Sequence, residues 1–162
     1  EEHVTERDAS IIDLGCGHGH LLLELASVGF TRLTGVDYSP AAIELAVALA
    51  KERGVDEAVR YAPLDLLALV DDKSAAASQA EDAVWRGQFD IVLDKGTYDA
   101  ISLHPDQRAA REKGRPGPAD RYVEAAAYLL DATKTGLLLI TSCNWTQAEL
   151  ETRFSSRKST TT

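Results

Sequence analysis

The residues of this chain best placed to do chemistry are a run of alternating glycines and the aspartates spaced around it. Gly15, Gly17 and Gly19 recur at every second position in Asp13-Leu14-Gly15-Cys16-Gly17-His18-Gly19-His20, directly after the apolar pair Ile11-Ile12. Glycine has no Cβ and takes positive φ, so such a loop lets backbone approach a ligand, and the amides at the start of the following helix face whatever is bound. A dinucleotide fingerprint, Gly-x-Gly-x-x-Gly, needs its third glycine at position 20, where His20 stands, and a nicotinamide site is therefore disfavoured. Asp13 would repel a pyrophosphate but suits hydrogen-bond donors or a cation. Asp37 follows the glycines by about twenty residues, where a carboxylate accepts both hydroxyls of a ribose. Asp65 is suited to accept from an exocyclic adenine amine while Leu66 or Leu64 packs the ring, or else to cap a helix. Together these residues describe a nucleoside whose far end is cationic rather than phosphorylated.

S-adenosyl-L-methionine has that chemistry, and the elements that must position the residues fit a nucleoside-binding sheet. Apolar, β-branched runs predict strands at 10–14, 32–37, 58–62, 89–93 and 137–142, the last being the most continuously apolar. Helices are predicted at 19–28, closed by Gly29, and from Pro40 to Arg53, where Ser39 supplies the N-cap, proline takes the first helical position and Gly54 ends the run. A short helix or turn covers 97–103, a further helix puts Val123, Ala126, Ala127 and Leu130 on one face, and a last helix opens at Trp145-Thr146. This alternation predicts an α/β, doubly wound, mostly parallel sheet with helices on both faces and a ligand crevice at the carboxyl ends of the strands. Gly15, Asp37, Asp65, Asp94 and Cys143 are expected to border that crevice. Two stretches read as surface insertions, about 71–88 and 104–120, the second as an exposed loop, and 155–162 reads as a disordered polar tail.

With 162 residues the chain has the size of one domain. A formal net charge of -9 lacks the basic stripe that phosphate backbones require, and argues against a nucleic-acid partner. The two cysteines, Cys16 and Cys143, match no disulfide framework or metal spacing, which suits a reducing compartment and no metal centre. No run approaches the ~20 apolar residues of a membrane span. The absence of methionine and the abrupt Glu1-Glu2-His3 start suggest a fragment or an odd splice form.

The motif Asp13-x-Gly15-x-Gly17-x-Gly19, with Gly35-Val36-Asp37-Tyr38-Ser39, resembles the class I S-adenosylmethionine methyltransferases. More narrowly, Leu93-Asp94-Lys95-Gly96-Thr97-Tyr98-Asp99-Ala100-Ile101-Ser102-Leu103 and Leu139-Ile140-Thr141-Ser142-Cys143-Asn144-Trp145-Thr146-x-x-Glu149-Leu150 are similar to the elongation factor 1-alpha lysine methyltransferases. The resemblance implies a truncated S-adenosylmethionine-dependent methyltransferase domain over 1–154 without the family's final antiparallel strand pair, so that strand five forms an apolar edge. It implies a monomeric, cytoplasmic protein-lysine N-methyltransferase whose acceptor is elongation factor 1-alpha. Asp13, Gly15, Cys16, Gly17, Gly19, Asp37, Tyr38, Asp65, Leu66 and Asp94 would bind the cofactor. Asp94 would lie beside the methyl group and incoming amine, Thr97 and Tyr98 would shape the channel, and Asn144 and Trp145 would line the acceptor mouth. Methylation of another protein or a small molecule, and a truncated cofactor-binding module without turnover, are the alternative functions.

Overall fold

Ile11, Ile12 and Leu14 are buried on a strand covered on both faces, which is why the run shows no polar alternation. The computed structural model describes residues 7–70, 85–131, 133 and 135–155. In it β1 (Ile11–Leu14) lies at the centre of a five-stranded sheet of order β3-β2-β1-β4-β5. Its neighbours are β2 (Leu33–Asp37) and β4 (Ile91–Lys95), with β3 (Val59–Pro63) and β5 (Leu137–Thr141) at the edges. Every pairing is parallel. The chain winds outward from β1 through β2 to β3, then returns to add β4 and β5 on the opposite side. The direction of winding therefore reverses between β1 and β4, where open sheets of this kind bind ligands.

Register sorts the core into two layers. Ile11 pairs with Leu33 and Ile91, and this row packs with Leu22 of α1 (His20–Ser27). Ile12 pairs with Val92 and faces the other way, into a larger cluster that includes Leu14, Val36, Tyr98, Tyr122 and Leu129. α2 (Pro40–Glu52) starts as its sequence signals, with the Ser39 hydroxyl accepting from the Ala42 amide and proline in the first turn. Beyond β4 come α3 (Thr97–Ser102), α4 (Asp106–Glu112), α5 (Pro118–Leu129) and, after β5, α6 (Gln147–Ser155). Leu137 and Leu139 on edge strand β5 are 44% and 49% exposed, so the expected apolar edge is present.

Three expectations change. The stretch 104–120 is not an exposed loop: α4 occupies its centre, and Gly117, Pro118 and Ala119 are buried at the start of α5. Gln-Arg-Ala-Ala-Arg-Glu are strong helix formers, Arg108 pairs with Glu112 one turn on at 2.9 Å, and the Gln107 side-chain Oε1 accepts from the Ala119 amide at 3.0 Å. The strand expected at 89–93 is displaced to Ile91–Lys95, because Asp94 and Lys95 still pair with Ile140 and Thr141 of β5 while Phe89 makes only a bridge to Leu130. On α5 the buried face runs through Tyr122, Val123, Ala125, Ala126 and Leu129, and Ala127 is exposed. The insertion at 71–88 lies mostly outside the described residues, as does 156–162; Ser155 ends α6.

Candidate active site

The loop after β1 is shaped by what sits under its glycines. Gly15 and Gly19 have φ of 68° and 79°, and the space a Cβ would need is filled at Gly15 by the Thr97 hydroxyl and at Gly19 by the Tyr61 hydroxyl. Both positions thus combine left-handed backbone with close packing, and only glycine satisfies both. Gly17 differs, because no atom of the described residues lies within 4 Å of where its Cβ would stand. The Thr97 hydroxyl donates to the Leu14 carbonyl at 2.6 Å and so ties the start of α3 to the end of β1.

Asp37 closes β2 and is 9% exposed. One carboxylate oxygen accepts from the Gly17 amide at 3.0 Å and the other from the Ser39 amide at 2.9 Å. Two amides hold the carboxylate in one orientation, and each oxygen keeps acceptor capacity for a further donor. Asp65 has the capping geometry that was its alternative reading. Its Oδ1 accepts from the Leu67 and Ala68 amides at 2.9 and 3.3 Å, at the head of a 3-10 turn (Ala68–Val70), while Oδ2 has no protein donor among the described residues.

Gly15, Asp37 and Asp65 meet in one cavity of about 610 Å³, whose wall also includes Tyr38, Leu66 and Thr97; Asp13, Gly17 and Gly19, expected at the cofactor, are not among its lining residues. That volume lies in the range of roughly 300–1,000 Å³ that holds a small-molecule ligand. Leu64 and Leu67 add apolar surface, and Lys95, Gly96, Ala100, Ile101 and His104 complete the β4 side. Gly96, part of the Leu93–Leu103 motif but given no site role from sequence, repeats the pattern at Gly15: a strand ends, a left-handed glycine follows (φ 85°) and a helix begins.

The structure corrects the expected place of several residues. Asp94 and Cys143 do not border this cavity. The Asp94 carboxylate is 2% exposed and accepts from the Thr97 amide at 2.8 Å, the Tyr98 amide at 2.9 Å and the Tyr122 hydroxyl at 2.6 Å. It caps α3 and anchors α5, so it holds the β4 loop in position. Tyr98, 1% exposed, packs against Tyr122, Trp145 and Phe154 on the side of α3 away from the cavity. Asn144 is exposed after β5, its amide donating to the Ser142 hydroxyl at 3.1 Å, and Trp145 donates from its ring to the Ser102 hydroxyl at 3.3 Å. Asp99 accepts from the Ser142 hydroxyl at 2.5 Å and the Cys143 amide at 2.8 Å, fastening α3 to the end of β5.

Beneath the loop lies a concentration of buried acid. Burial, above all, pushes the Asp13 carboxyl up to about 7; the Lys95 charge opposes the rise, while Asp94 and Asp37 add to it. Burial likewise raises Asp94 against the pull of its three hydrogen bonds. Cys16 points toward Gly35 rather than into the cavity, and burial with the nearby Asp13 and Asp37 pushes its thiol up to about 12. A cation beside this group would hold Asp13 ionised, whereas a phosphate would meet repulsion.

Sequence comparison agrees with this geometry. The chain is 37% identical over 155 residues to human EEF1A lysine methyltransferase 2, covering 96% of this chain and 56% of that protein. It is 38% identical over 145 residues to protein-lysine N-methyltransferase EFM4 of Saccharomyces cerevisiae, covering 88% and 55% respectively. The chain thus spans about half the length of the curated relatives it matches. Among solved structures, a TehB-like SAM-dependent methyltransferase from Corynebacterium glutamicum superposes with a TM-score of 0.57 at 21% identity, over 93% of this chain and 65% of that one. A SAM-dependent methyltransferase from Geobacter sulfurreducens in complex with S-adenosyl-L-homocysteine gives a TM-score of 0.54 at 22% identity, over 84% of this chain and 42% of that one. These two show the fold. Residues 5–161 match the methyltransferase domain family, and because the glycine loop, Asp37, Asp65 and the β4 loop all fall inside that span, the chain belongs to that family.

Proposed function

We propose that this chain is the catalytic domain of a protein-lysine N-methyltransferase that takes its methyl group from S-adenosyl-L-methionine and delivers it to elongation factor 1-alpha. The observation that carries the cofactor assignment is the Asp37 carboxylate, held at the cavity wall by the Gly17 and Ser39 amides with acceptor capacity to spare. The donor group fits the residues present: Asp37 would take the ribose hydroxyls, Asp65 Oδ2 an adenine amine, and Leu64 and Leu66 the ring. Buried Asp13 and its acidic neighbours favour a positively charged far end. Relatives named as EEF1A lysine methyltransferases support the acceptor.

When bound, the cofactor supplies an electrophilic methyl on a sulfonium. The lysine must arrive neutral, since an ammonium has no lone pair and its free pKa is near 10.4. The amine's proton would leave to solvent, and its freed lone pair would take up the methyl group that the donor supplies. The apolar wall of Ala100 and Ile101 beside Thr97 would desolvate the amine and favour its neutral form. Approximation of the two reactants supplies much of the rate, so no dedicated base is required. The net charge and the two free cysteines support an enzyme without a nucleic-acid partner in a reducing compartment, which we take to be the cytoplasm.

The test incubates the full-length protein with labelled S-adenosyl-L-methionine and a cell lysate. A labelled band at the size of elongation factor 1-alpha, lost in Asp37→Ala, is expected. Label in other bands alone would favour a different protein substrate, and cofactor binding without any transfer would favour the non-catalytic module.

A further inference from the structure

On the side of α3 away from the cofactor cavity lies a larger groove of about 1230 Å³. α3 is the wall between the two: Thr97, Ala100 and Ile101 face the cavity, whereas Tyr98 and Ser102 face the groove. His104, just past the end of α3, lines both, so a chain lying in the groove has a short route round Leu103 and His104 into the cavity. The charge of the groove is opposite to that of the chain as a whole. Its walls carry Arg108, Arg111, Arg115 and Arg153 against Asp120 and Glu149, in a chain whose formal net charge is -9. Two of the four arginines are engaged, Arg108 with Glu112 at 2.9 Å and Arg153 with Asp120 at 3.0 Å. Arg111 and Arg115 make no ion pair among the described residues. Beside them Leu103 is 74% exposed, and the Trp145 ring forms part of the same wall.

An arginine fork matches a carboxylate, and an exposed leucine next to a tryptophan matches an apolar side chain. We propose that this groove docks an acidic segment of the protein acceptor close to the lysine to be methylated, with Arg111 and Arg115 as its carboxylate contacts and Leu103 and Trp145 seating a neighbouring apolar residue. The inference rests on the lysine methyltransferase reading above and adds to it a surface for selecting the acceptor. A polynucleotide is the less suitable occupant, because an extended polyanion would meet the acidic remainder of the surface.

The test compares the full-length protein with a double variant, Arg111→Glu with Arg115→Glu, and with Arg111→Lys with Arg115→Lys. With elongation factor 1-alpha as acceptor, charge reversal is expected to raise KM by about tenfold while kcat stays nearly constant, a pattern set by charge complementarity across an interface. The affinity for S-adenosyl-L-methionine in calorimetry should not change, and the lysine variant should retain most of the acceptor affinity. A fluorescent glutamate-rich peptide, followed by anisotropy, should bind the wild type and the lysine variant but not the reversed one. Equal KM and equal peptide binding in the wild type and the reversed variant would overturn the docking assignment. Two further results would overturn it: inhibition by a homopolymeric RNA that charge reversal abolishes, and hydrogen-exchange protection of the groove by the rest of the same chain before acceptor is added. If the wild type transfers no methyl to elongation factor 1-alpha, the proposed function fails, and the peptide alone then decides the groove.

Discussion

Three aspartates at the carboxyl end of the sheet do three different jobs, and burial and partners decide which. Asp37 keeps its carboxylate at the cavity wall, so Asp37→Ala removes a charged acceptor and is expected to weaken S-adenosyl-L-methionine binding by roughly a hundredfold, as loss of charge-assisted hydrogen bonds worth about 1.5–3 kcal/mol each implies; calorimetry checks this. Asp13 is buried, with its carboxyl raised from 3.8 to about 7. Between about pH 4 and 7 the unfolded chain therefore gives up this proton while the folded chain keeps it, and the Asp13 contribution to stability falls as pH rises through that window, then levels off above it. Urea denaturation at both ends of the window should show the wild type losing stability relative to Asp13→Asn as pH rises, by on the order of 2–4 kcal/mol. Asp94 caps α3 and holds the Tyr122 hydroxyl. Tyr122→Phe is expected to cost about 1–2 kcal/mol of stability with little change in cofactor affinity, measured by denaturation and calorimetry on the same sample. The placement of the glycine loop and of Asp37 at strand ends was legible because a loop and a strand end twenty residues apart are local features of a βαβ unit. The sequestration of Asp94 was not, since its decisive partner lies 28 residues away on another helix and no pattern near Asp94 announces it.

At the scale of elements, the strands near the amino end were legible because each apolar run stops at a glycine or aspartate. β4 moved by two residues because pairing with β5, rather than local apolarity, sets where it ends. The helix inside 104–120 was hidden by composition: prolines, glycines and arginines signal a loop, yet the six residues from Gln107 to Glu112 are strong helix formers, and Gln107 pins the following turn. The contact between the β1 loop and α3 is equally invisible in sequence and can be measured. Gly15→Ala would place a methyl group against the Thr97 hydroxyl at a left-handed backbone position, whereas Thr97→Ala opens that space and loses the bond to Leu14. The double variant is expected to cost less than the sum of the single ones, with a coupling of about 1–2 kcal/mol in denaturant titrations; strict additivity would show that the loop and helix do not meet.

For the whole molecule, parallel winding out from β1 in two directions brings the ends of β1, β2 and β4 together, and that topology, rather than any one residue, creates the cavity. The class of fold follows from alternation, so it was readable without coordinates. The groove behind α3 was not, because its arginines come from α4, the turn after it and α6, which only the fold assembles. The acidic chain therefore carries two faces, a cavity suited to a cationic nucleoside and a basic groove suited to an acidic peptide. The central claim, transfer of a methyl group to a lysine of elongation factor 1-alpha, is tested most directly by mass spectrometry of that factor after incubation with the full-length protein and S-adenosyl-L-methionine. The expected result is a gain of one or more methyl groups on a lysine that is absent with Asp37→Ala; an unmodified factor, in the presence of protein shown to bind the cofactor, would contradict it.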